Sequence, residues 1–169
     1  MKRKLFFRYF CLIFSIAIML LIFLMSAQNS NSSSGASGRF VAFFANVFVK
    51  GFREGSDEFR NSIIISAQFF VRKFAHFSLF GSLAFFLCGF FSTVFDKYLK
   101  NLLFSLASSL LYAGTDEFHQ VFVPGRSGEI RDILIDFSGA VIGTAIMLLI
   151  VYLFRRPKYE IRRKHKQKG

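Results

Sequence analysis

ILIDFSGAVIGTAIMLLIVYLF, residues Ile133–Phe154, runs for 22 residues with a single charged side chain, Asp136. As a helix rising 1.5 Å per residue it reaches about 33 Å, enough to cross a hydrocarbon core about 30 Å thick. Two other stretches share this character. Leu5–Met25 is broken by charge only at Arg8, and Phe74–Phe95 carries no Asp, Glu, Lys or Arg. A fourth, Asn101–Val123, is long enough but turns polar at Thr115. Soluble domains of this length do not hold four such segments. The expected fold is all-α: an integral membrane bundle of four transmembrane helices near 5–25, 74–95, 101–123 and 133–154. Residues 1–154 form the transmembrane domain and 155–169 a basic tail.

The composition agrees, at 53% hydrophobic with a formal charge of +12. That charge alone would suit a nucleic-acid partner, but the apolar runs exclude such a reading and make membrane lipids the first partners. Lys2, Arg3 and Lys4 precede the first run as they would in a secretory signal. Signal cores are typically shorter, about 7–15 residues, so a retained anchor is expected. Cys11 and Cys88 do not make a disulfide framework and read as small apolar packing residues.

Charge orients the chain. With the N-terminus inside, the inner segments are 1–8, the turn 96–100 and the tail from Arg155. They hold 14 of the 22 Lys and Arg, and only Asp96 and Glu160 among the acids. The outward segments hold eight bases and eight acids, which cancel. This is the asymmetry of the positive-inside rule. Both ends are therefore expected in the cytoplasm, with the tail touching anionic lipid. Between the first two spans, Gln28–Gly38 is rich in Ser, Asn and Gly and reads as a flexible linker. Phe40, Phe43, Phe44, Val47 and Phe48 follow at helical spacing, which suits a short amphipathic helix in the outer interface. Ser56, Asp57 and Glu58 then supply a helix start. Whether that helix joins the second span or breaks at Arg72 is open.

Counting along the helices brings one set of polar residues to a common depth. His76 is about one turn inside the outer end of the second span. Asp116 stands about 22 Å up the third, counted from Asn101. Asp136 is one turn into the fourth. Arg72, Lys73, His76, Asp116, Glu117, His119, Gln120, Arg126, Asp132 and Asp136 thus converge from three helices and the loop 126–131. Phe118 points away from Asp116 and Glu117, while Asp132, Asp136, Gly139 and Gly143 share a stripe. The Gly139–Gly143 pair lets a neighbouring helix approach, so these carboxylates should face the bundle. Ionisable residues at such depth are functional candidates by default. The plain alternative is that Arg72, Lys73 and Arg126 only pair with the acids to lock the helices. Fewer charges would suffice for that, and buried ion pairs gain little net stability.

These residues also carry a resemblance. RKFAHF at 72–77, DEFHQ at 116–120 and FVPGR at 122–126, with Asp132, Asp136 and Gly139 beyond them, resemble the signature of the VanZ-like membrane proteins. Ser26-Ala27-Gln28 is similar to the motif closing that family's first span. Leu79 and Phe80 depart from it, standing where an acid and a Tyr are common. The resemblance implies a link with resistance to the glycopeptide teicoplanin, without implying a molecular activity.

From the residues themselves, two classes of function stand out. In one, the cluster binds or modifies an anionic envelope molecule, such as a lipid-linked wall precursor, an anionic polymer or a phospholipid. Arg72, Lys73 and Arg126 would hold its phosphate or carboxylate. In the other, the protein is a non-catalytic scaffold for envelope proteins. Catalysis would give His76 or Glu117 the role of base, with Asp116 orienting a histidine. It would use water, because no nucleophile is evident beyond the loop residue Ser127. A metal held by His76, His119 and carboxylates is not carried by the Asp116–His119 spacing alone, so no metal and no cofactor is assigned. Transport is disfavoured by the apolar inner half of the spans.

Overall fold

The computed structural model describes the backbone of residues 2–166 and the side chains of these except 30–34, 36 and 155–166. The described residues form five helices and no strand: α1 (Lys2–Ser26), α2 (Ser30–Phe48), α3 (Asp57–Val94), α4 (Tyr98–Gln120) and α5 (Ile130–Lys166). Three of them, α1, α3 and α5, are long and apolar enough to cross a membrane. Large side chains such as Phe6, Phe74, Leu111 and Phe118 lie exposed around the bundle, an apolar surface that suits lipid and not water.

Helix α3 is the mast of the molecule, packing against each of the other four helices. Ser56 caps its N-terminus, accepting a hydrogen bond from the Phe59 amide at 3.2 Å. It then runs unbroken through Arg72 to Val94, which resolves the open question of a break there. Its tightest partner is α5, because Gly139 and Gly143 lie directly against the backbone carbonyls of Phe77 and Gly81. A side chain at either glycine would occupy the space of those carbonyls.

The core reflects this arrangement. Ile22, Phe80, Leu83 and Ala113 bring α1, α3 and α4 together, and Cys88, Met147 and Val151 join α3 to α5. Both cysteines are free and buried, consistent with packing roles. Arg8, the one charge in α1's apolar run, donates from Nε to Thr93 Oγ1 and from Nη2 to Thr93 O, both at 2.9 Å. It thereby satisfies a carbonyl at the C-terminus of α3, the end that favours a cation.

One expectation changes. Residues 30–38 form the first half of α2 and not a linker. Ser37, Gly38, Val41 and Ala45 are buried, and a Cβ on Gly38 would stand 3.3 Å from Ile64 of α3. Contact with α3 overrides weak local helix propensity. Helix α5 also continues beyond Phe154 into the basic segment as far as Lys166, whereas the tail's side chains lie outside the described residues.

Helix α4 is inverted relative to a soluble amphipathic helix. Asn101, Ser105, Ser109, Asp116, Glu117 and Gln120 are buried, whereas Leu103, Phe104, Leu110, Leu111 and Phe118 are exposed. Ser105 Oγ and Thr144 Oγ1 of α5 are 3.3 Å apart, and neither side-chain polar atom of Asn101 has a hydrogen-bond partner among the described residues. This polar seam inside the apolar half is absent from the sequence-based expectation.

Candidate functional site

The polar end of the bundle is built where α4 stops. Val121 and Phe122 follow its last turn, Gly125 reverses the chain at φ +75°, and the Arg126 amide closes the turn on Val123 O at 3.1 Å. The left-handed backbone at Gly125 favours a residue without a Cβ. That turn directs Arg126 back over the bundle. Its Nε donates to Gln28 O at 2.9 Å, its Nη2 to Met25 O at 3.0 Å and its Nη1 to Gln120 Oε1 at 3.2 Å. Arg126 therefore clasps the Met25 carbonyl of α1 and the Gln28 carbonyl just beyond it to the end of α4. Burial draws its guanidinium pKa down from the ordinary value, and repulsion from nearby Arg72 adds to this.

Gln120 is the hub beneath. Its Nε2 donates to Asp116 Oδ2 at 2.9 Å and to Glu117 Oε1 at 3.1 Å, while its Oε1 receives Arg126. Asp116 Oδ2 also accepts from Ser26 Oγ at 2.9 Å, linking α1 to α4. Glu117 Oε2 accepts from the backbone amide of Glu129 at 2.9 Å, which fixes the loop before α5. The two carboxylates are each 4% exposed. Across the bundle, Lys73 of α3 forms an ion pair with Asp132 of α5. One turn deeper, His76 Nδ1 stands 3.8 Å from Asp136 Oδ2, with Asp136 only 1% exposed.

Between these groups lies a cavity of about 190 Å³. Arg72, Lys73 and His76 line it from α3, Gln120 and Arg126 from the other side, and Asp132 and Asp136 from α5. Asp116 and Glu117 stand behind Gln120 and Arg126. Of the ten residues singled out in the sequence, nine belong to this assembly. His119 does not line the cavity: its ring packs against Phe23 at 4.9 Å between centroids. Phe69, Ser127 and Glu129 also line the cavity, and Gln28 joins through its carbonyl. The signal for Gln28 was its place in the Ser26-Ala27-Gln28 motif. None marked Phe69 or Glu129.

Chemically, the cavity offers a guanidinium, an ammonium and an imidazole on one wall and carboxylates on the other. Arg72 makes no ion pair or hydrogen bond with any described residue. Ser127 lines the cavity, its hydroxyl donating to Glu129 Oε1 at 3.4 Å. No curated protein and no solved structure is significantly similar to the chain. The VanZ/LLP1 family model matches residues 10–153, which take in α2, α3 and α4 whole, most of α1 and α5, and every residue of the site. The chain is a VanZ-like membrane protein, a member of the VanZ/LLP1 family.

Proposed function

We propose that this VanZ-like protein crosses the bacterial plasma membrane four times with both ends in the cytoplasm. Its polar cavity, at the outer leaflet, binds or modifies an anionic molecule of the cell envelope. The observation that carries this reading is Arg72, a cation lining the cavity with no anionic partner among the described residues. Arg126 stands near enough to be repelled by it. Two cations held close in a partly buried cleft are relieved by an anion, and phosphate oxygens suit a guanidinium fork. A cavity of about 190 Å³ is smaller than a drug-sized site of about 300–1,000 Å³. It therefore fits a head group and not a whole lipid-linked saccharide.

The inverted pattern of α4 supports a fourth span. Its 23 residues reach about 34 Å, its apolar face points outward, and its polar face is covered by α3 and α5. Charge asymmetry supports the orientation. The exposed Phe40, Phe43, Phe44 and Phe48 of α2 support a helix lying in the outer interface. That same aromatic face favours the second reading, a non-catalytic scaffold whose partner is another envelope protein. A contribution to teicoplanin resistance would follow if the bound molecule belongs to the wall pathway.

The test is substitution of Arg72, His76, Glu117 and Arg126 by Gln or Ala, with Arg39 as control. Resistance or envelope integrity is expected to fall in the four, with membrane abundance holding for the Arg72, His76 and Glu117 variants and scored separately for Arg126, and to stay unchanged at Arg39. Full activity in all four would move the function elsewhere, with α2 the next surface to examine.

A further inference from the structure

We propose that His76, Asp116 and Asp136 form a binding site for a divalent transition-metal ion, zinc foremost. One residue comes from each of α3, α4 and α5. One ligand atom from each lies within 4.8 Å of the other two. Asp136 is 1% exposed, and its Oδ2 accepts no hydrogen bond from any described residue. The nearest cation-forming group, His76 Nδ1, is 3.8 Å away, too far for a hydrogen bond. A buried carboxylate oxygen aimed at an imidazole nitrogen across that gap is the arrangement an ion would bridge.

Charge points the same way. Asp116, Glu117 and Asp136 are all at most 4% exposed. No described Lys or Arg stands within ion-pair distance of any of them. Lys73 is paired with Asp132, and the guanidinium of Arg126 bonds two carbonyls and Gln120. Buried carboxylates without a counter-cation are costly. Glu117 is offset by two hydrogen-bond donors, and Asp116 receives two on Oδ2 alone. Those from Ser26 and Gln120 fix the carboxylate plane and leave Oδ1 for the ion, the outer support that metal ligands need.

Donor chemistry narrows the ion. An imidazole with two carboxylates suits zinc or its first-row neighbours better than calcium or magnesium, which take all-oxygen sets. Ligand atoms on a tetrahedral zinc stand about 3.4 Å apart. Rotation of the His76 and Asp136 side chains, closing the longest separation of 4.8 Å by roughly 1.4 Å, completes the site. Three protein ligands leave a fourth position open. Because His76 and Asp136 line the cavity, that position faces it. The metal site stands whether or not the cavity also takes an anion.

The experiment uses full-length protein in detergent, without a polyhistidine tag. Bound metal is measured by mass spectrometry, and the chelator-stripped protein is titrated with zinc chloride while its melting is followed. Close to one ion per chain and a saturable rise in Tm are expected. His76→Gln and Asp136→Asn should each weaken zinc binding at least tenfold, while Cys88→Ser binds as wild type. Cobalt(II) loaded into the wild type should give visible bands of a nitrogen-and-oxygen site without a sulfur charge-transfer band. This reading does not depend on any variant folding. Substoichiometric metal with no zinc-dependent change in Tm would overturn the proposal. So would a thiolate band, or undiminished binding by both variants.

Discussion

Replacing Gly143 by Ala adds one methyl group at the closest contact in the bundle. That Cβ would lie against the carbonyl oxygen of Gly81, with the carbonyl carbon 2.7 Å away and Gly81 Cα at 3.0 Å. Ordinary contact begins at 3.4 Å; the carbonyl carbon alone would require α3 and α5 to part by roughly 0.7 Å, and the nearer oxygen requires more. The obstacle is helical backbone and cannot rotate aside. Overpacking of this kind costs about 1–3 kcal/mol, partly offset by the ~1 kcal/mol that Ala gains over Gly in a helix. At about 2–4 °C per kcal/mol for a chain of this size, Tm should fall by several degrees. Gly114→Ala is the matched control, since nothing lies within 4 Å of a Cβ there; it should leave Tm unchanged or raise it. Fluorescence-detected melting of both variants in detergent reads the difference. Parting α3 from α5 also separates Lys73 and His76 from Asp132 and Asp136, so function should fall with Tm. Equal melting of Gly143→Ala and Gly114→Ala would refute close α3–α5 packing as the frame of the site.

Arg126→Ala should destabilise the protein by about 1.5–3 kcal/mol, the range for a hydrogen bond to a charged group, because it releases the clasp on Met25, Gln28 and Gln120. Arg126→Lys should not restore Tm, since one ammonium cannot reach three acceptors in a fixed fork; full rescue would reduce the role of Arg126 to charge alone. Reporter fusions after Ser34 and Gly125 should read outside, and those after Lys100 and Lys164 inside. A cytoplasmic signal after Ser34 would invert the topology and put the cavity at the inner leaflet.

The legible parts of this protein were those with a period or a charge cost. Apolar runs placed α1, α3 and α5, and the Ser56 cap marked the start of α3. Counting 1.5 Å per residue brought Asp116, His76 and Asp136 to one level, and the Gly139–Gly143 stripe meets a neighbouring helix as expected, which the structure shows to be α3. What stayed hidden depends on partners far apart in sequence. Nothing local shows that Arg126 reaches carbonyls about a hundred residues away, or that Arg8 reaches Thr93. Tyr112, whose hydroxyl donates to Met19 O at 2.6 Å, is equally silent in the sequence. Residues 30–38 misled because Ser, Asn and Gly report weak propensity, whereas their helix is held by packing on α3. His119 shared the right depth but turned towards Phe23; helical position fixes height and arc, not the rotamer.

The most direct test is mass spectrometry of what travels with the protein when it is extracted gently from its own membranes. Wild-type protein should retain one anionic envelope species in near-stoichiometric amount. Arg72→Gln, extracted alongside at equal abundance, should lose it. The same mixture of bulk lipids on both proteins, or a stoichiometric protein in place of the anion, would contradict an anion-binding cavity centred on Arg72.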